Sequence, residues 1–69
     1  METEFVLKGE YIELIKLLKA TGLCESGGQA KAVTSDGMVK VDGNTELRKK
    51  CKIRKGQRVE FEGHKVTVV

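Results

Sequence analysis

The period of the apolar residues changes once along this chain, and that change limits the fold more than any other feature. In residues 10–22, EYIELIKLLKATG, the side chains of Tyr11, Leu14, Ile15 and Leu18 recur at i, i+3, i+4 and i+7, with Ile12 and Leu17 widening the stripe. That spacing puts them on one face of a helix over 10–22. Glu10 and Glu13 near its start and Lys16 and Lys19 near its end complement the macrodipole, and Gly22 suits the C-terminal cap. From residue 38 the pattern shortens to MVKV at 38–41, CKI at 51–53, RVEF at 58–61 and KVTVV at 65–69, all with the branched residues of strands. Helices followed by strands in 69 residues leave room for one domain, residues 1–69. Its predicted class is α+β, two packed helices against a small, bent, mainly antiparallel sheet.

The punctuation agrees with this division. EFVLKG at 4–9 reads as one more short strand, pairing with a later one. Ser26 followed by Gln29 is a capping box, in which the hydroxyl receives the Gln29 amide and the Gln29 side chain reaches back to the Ser26 amide. A shorter second helix begins there, with Ala30, Val33 and Thr34 toward the first, and ends at Asp36-Gly37. Asp42-Gly43 marks a two-residue hairpin, and Lys55-Gly56 and Glu62-Gly63 mark further turns. Phe5, Tyr11 and Phe61 are expected in the core, which leaves no aromatic surface for stacked bases.

Charge is distributed unevenly over this frame. The net charge is +3, yet residues 1–35 hold four lysines against five acids, net −1, and residues 36–69 hold nine cations against five acids, net +4. Six cations fall in the eight positions from Arg48 to Lys55. Read with a strand's period of two, Arg48, Lys50, Lys52 and Arg54 share one face, spaced about 6.5–7 Å apart, while Cys51 and Ile53 turn inward. Such a row repels itself until an anion relieves it, and its spacing is close to that of phosphates along a nucleic-acid strand. A solvated edge strand guarded by lysine is the plainer alternative, but one or two charges suffice for that.

Other candidates are weaker taken singly. Gly27-Gly28 after the Ser26 cap leaves backbone amides open at a positive helix end, with Lys31 one turn on. Lys40 projects opposite to Val39 and Val41. Cys24 and Cys51, without a CxxC or a second pair, read as reduced, half-buried thiols. His64 is a lone imidazole, so no metal is expected. No nucleophile, base and orienting group stand together, so neither catalysis nor a cofactor is expected. No apolar run approaches the ~18–20 residues of a membrane span, and METEFVLKGE has no signal-peptide pattern, which points to the cytoplasm, and the missing large exposed apolar run favours a monomer.

The order of elements also resembles a known family. A helix, the Gly22-Leu23 connector, Ser26-x-x-Gln29-Ala30 opening a second helix, Gly37-Met38-Val39-Lys40-Val41-Asp42-Gly43 and Lys55-Gly56-Gln57-x-Val59 are similar to the S-four RNA-binding domain, named after ribosomal small-subunit protein four. As a free-standing domain the chain is most similar to the small bacterial YbcJ-like group. The resemblance covers residues 11 to about 61. It implies an alpha-L motif, two helices and an L-shaped connector, whose RNA-binding positions here are Lys16, Lys19, Gly27, Gly28, Lys31 and Lys40. Two of the family's usual cations are missing, since Gly27 follows Ser26 and Glu13 stands early in the first helix. With the charge moved to Arg48–Lys55, the expected footprint extends over Arg48, Lys49, Lys50, Lys52 and Arg54. The expected partner is structured RNA, ribosomal or transfer RNA and with it the ribosome, duplex or junction rather than single-stranded. The alternative is an adaptor docking an acidic protein through the same cations.

Overall fold

The computed structural model describes residues 2–69. In chain order the elements are β1 (Glu2–Phe5), β2 (Ile12–Glu13), α1 (Leu14–Ala20), α2 (Gly27–Ser35), β3 (Val39–Val41), β4 (Asn44–Thr45), β5 (Lys52–Ile53), β6 (Arg58–Phe61) and β7 (His64–Val68). Five strands form one sheet in the order β1-β7-β6-β3-β4, and β2 pairs with β5 in a separate two-stranded ribbon. The β1–β7 pair is parallel and the others are antiparallel, so the main sheet is mixed.

Two hairpins set the register of that sheet. Asp42 and Gly43, at φ 52° and 85°, join Val41 to its partner Asn44, and Glu62 and Gly63, at 49° and 80°, join Phe61 to its partner His64. Positive φ at both central residues gives the turn whose twist matches that of the strands. Asp42 also receives the Arg58 amide at 2.9 Å and the Gln57 side-chain amide at 3.2 Å, tying this turn to the loop before β6.

The core lies between the helix pair and one sheet face. Leu14, Leu17 and Leu18 from α1 and Ala30 from α2 are fully buried, with Val39, Val59, Val66 and Val68 from the sheet and Ile53 from β5. Thr34, buried on α2, satisfies its hydroxyl by donating to the Ala30 carbonyl at 2.7 Å. Ser26 caps α2 by accepting the Gln29 amide at 3.2 Å.

Several expectations need correction. The first strand covers 2–5 and not 4–9, because parallel pairing with β7 fixes its extent, and Leu7 beyond it is buried. The Gln29 side-chain Oε1 accepts the Glu25 amide at 2.9 Å, one residue earlier than the capping box predicts. Cys24 is fully buried, and Cys51 is half-buried as expected. Most consequential, the first helix begins at Leu14 and not at residue 10. Residues 12–13 are drawn into pairing with β5, and the amides of Leu14 and Ile15 donate to the carbonyls of Cys51 at 2.8 Å and Lys49 at 3.3 Å. A backbone segment from the second half of the chain therefore caps this helix, and Glu10 and Glu13 do not lie in its first turn.

Candidate nucleic-acid interface

The cluster Arg48–Lys55 is not the continuous strand that alternation predicts. Only Lys52–Ile53 is extended and paired; residues 49 and 50 form a turn, closed by the Cys51 amide donating to the Arg48 carbonyl at 3.3 Å. Two carbonyls committed to the start of α1 bend the chain there, which rules out a flat row of four cations. The turn drapes the cations over the N-terminal end of α1, and Ile53, fully buried opposite Ile12, anchors them to the core.

A shallow groove lined by Arg48, Lys50, Cys51 and Lys52 results. Glu46 organises one side of it. Its carboxylate accepts the Arg48 amide at 2.9 Å, Nε at 3.0 Å and Nη2 at 3.2 Å. These bonds, the Arg48 side chain first and its amide second, hold the Glu46 carboxyl down to about 2 from an ordinary 4.5. Burial raises the Cys51 thiol, with a hydrogen bond to Glu46 adding to it, so this sulfur is a poor nucleophile at neutral pH. Lys49, Lys50, Lys52, Arg54 and Lys55 are exposed, and among the described residues none has a carboxylate within 4 Å.

Tyr11 completes the site and reverses an expectation. It is 42% exposed, outside the core, because α1 starts three residues after it. The Lys52 Nζ lies 4.9 Å and the Arg54 guanidinium carbon 5.9 Å from its ring centroid. Both distances are within the range of cation–π attraction.

The remaining predicted residues are dispersed. Lys16 is exposed near the ribbon and meets Glu13 at 3.5 Å, and Glu13 pairs across the ribbon with Lys52. Lys19 is exposed in the last turn of α1, and Gly27, Gly28 and Lys31 follow at the head of α2, beyond the end of α1 fixed by the Cys24 amide on the Leu18 carbonyl. A Cβ added at Gly27 would meet nothing within 4 Å, so the backbone there is open to approach. Lys40 stands on the outer face of the sheet opposite Glu60, apart from the main cluster. A second concavity on the sheet, lined by Asp42, Gly43, Gly56, Arg58, Glu60 and Thr67, carries two acids and one cation and does not suit a polyanion. His64 is half-buried with Nδ1 lacking a hydrogen-bond partner, and no group of three or more His, Cys, Asp or Glu among the described residues could hold a metal ion. Among the same residues no helix is long and apolar enough to cross a membrane. Sequence reasoning missed Tyr11, Glu46 and Glu13. Glu46, two residues before the first cation, carried a local signal in its spacing; the other two required the boundary of α1.

The chain is similar to known proteins in sequence and fold. The S4 domain family matches residues 5–69. "Putative RNA-binding protein YbcJ" of Escherichia coli K12 is 52% identical over 69 residues, spanning 100% of this chain and 99% of its own length. "Uncharacterized protein YbcJ" of Shigella flexneri matches to the same extent. The solution structure of E. coli YbcJ, described as revealing an αL motif involved in RNA-binding, superposes with a TM-score of 0.75 at 54% identity, covering 96% of this chain and 85% of that one. With nearly the full chain matched by the family and by a relative well above 30% identity, this protein belongs to the S4 domain family.

Proposed function

We propose that this protein binds structured RNA, of the ribosomal or transfer class, in the cytoplasm and at the ribosome, and performs no chemistry of its own. The observation that carries the reading is the tether of the basic segment to α1. Carbonyls of Lys49 and Cys51 hold the segment against the helix start, so five cations that have no carboxylate partner among the described residues are presented from a fixed backbone. Like charges held this close raise the free energy of the unliganded surface, and a polyanion lowers it while releasing its own counterions. Family membership and the RNA-binding descriptions of the YbcJ relatives support the same reading.

The phosphate contacts proposed are Lys49, Lys50, Lys52 and Arg54 at the centre, with Arg48 oriented by Glu46. Lys16, Lys19, Gly27, Gly28 and Lys31 extend the footprint along the helices, and Lys40 forms its outer limit on the sheet. An amide chemical-shift titration with a structured ribosomal RNA fragment, run beside duplex DNA of equal charge, tests this. Shifts at 48–54 appearing at lower RNA than DNA concentration, and a linear fall of log K with log salt, are expected. Unmoved amides with both polyanions at moderate salt would refute it and turn attention to an acidic protein partner.

A further inference from the structure

We infer that Tyr11, with Lys52 and Arg54, forms a subsite for one unpaired nucleobase, so that the protein selects RNA carrying a bulged or flipped-out nucleotide over a continuous duplex. The inference rests on the RNA-binding reading above and adds what the bound RNA must present.

The ring is the only tyrosine of the chain, which has no tryptophan, and it is 42% exposed within the most basic part of the surface. Nothing in the core requires it there, because Ile12 and Leu14, not Tyr11, pack inward at the start of α1. In the free protein the ring serves two like charges at once, Lys52 at 4.9 Å and Arg54 at 5.9 Å. Cation–π attraction at an exposed site is weak, so both cations exchange it readily for a phosphate. A nucleotide supplies both complements together: a phosphate for the two cations, and a flat base for the ring they leave. A continuous duplex supplies only the phosphate, since its bases are stacked inside. A planar guanidinium at Arg54 is also suited to lie against a base.

Stacking of one base on an aromatic side chain changes affinity about tenfold. The test uses the full chain and two RNA hairpins that differ only in one inserted, unpaired nucleotide, which forms a single-nucleotide bulge in one and is absent from the fully paired other. Tyrosine is replaced biosynthetically by 3-fluorotyrosine, which gives one 19F resonance reporting Tyr11 alone. The bulged hairpin should bind about tenfold more tightly and shift that resonance further than the paired one. Tyr11→Phe should keep the preference, and Tyr11→Leu should bind the two RNAs equally. Equal affinity of the unsubstituted protein for both hairpins, with the resonance indifferent to the bulge, would overturn the subsite and leave RNA binding intact. A Tyr11→Leu variant that weakens both RNAs by the same factor would also overturn it, making the ring only a support for its cations. Binding of neither hairpin at moderate salt would instead remove the RNA-binding reading on which the subsite depends.

Discussion

Replacing Glu46 by glutamine removes the charge that fixes Arg48 while keeping the shape of the side chain, and its effect should depend on pH in a way that other positions do not imitate. The carboxyl titrates at about 2 in the folded protein against an ordinary 4.5. At about 1.36 kcal/mol for each tenfold change in proton affinity, that gap sets a ceiling of about 3.4 kcal/mol. The partner guanidinium is 78% exposed, so solvent screens the pair and about 1 kcal/mol is the realistic contribution. Because the folded value lies below the unfolded one, the contribution is complete above pH 4.5 and is lost as the pH falls through about 2. The substituted amide does not titrate. Thermal unfolding of both proteins from pH 7 to pH 2 should therefore show Glu46→Gln lower by about 4–8 °C at pH 7, with the two curves converging toward pH 2. All other carboxylates cancel in the difference. A gap that stays constant over this range, or a Glu46 carboxyl carbon whose NMR titration midpoint lies near 4.5, would refute the reasoning.

Other substitutions separate the core, the turns and the charged surface. Leu17→Ala, at a fully buried position, should cost about 2–5 kcal/mol in urea unfolding, a large share of the roughly 3–10 kcal/mol available to a domain of this size. Asp42→Ala removes the acceptor of the Arg58 amide and places alanine at φ 52°; a loss of about 2 kcal/mol is expected, with faster hydrogen exchange at Arg58. Lys50→Ala and Lys52→Ala should each weaken RNA binding uniformly across sequences and reduce the salt slope by about one, whereas unchanged slopes would place the phosphates elsewhere. In native protein a thiol reagent should label Cys51 slowly, its thiol raised by burial and by Glu46. Cys24, raised by burial and then by Glu62, should react only on unfolding, and labelling at equal rates would contradict their different exposure.

Much of the frame could be read locally. Ser26 caps its helix, Asp42-Gly43 and Glu62-Gly63 turn their hairpins, and Val39, Lys40 and Val41 alternate in and out as their spacing requires. These features depend on neighbours within a few residues, through φ preferences and short side-chain reaches. The density of cations at 48–55 was equally plain, as a matter of composition. The strand period imposed on it was misleading, because the carbonyls of Lys49 and Cys51 are claimed by a helix more than thirty positions earlier.

Sequence by itself determined the α+β class, the order of the two helices and the longer strands, the hairpin turns and the location of the positive charge. Tertiary structure decided where α1 begins, and with it whether Tyr11 is core or surface and which residues share a site. The reason is hydrogen-bond accounting. The first amides of a helix have no partner within it, and a helical apolar pattern does not record who satisfies them. Here the partners come from residues 49 and 51, so the same two bonds that shorten the helix bring the cations to Tyr11.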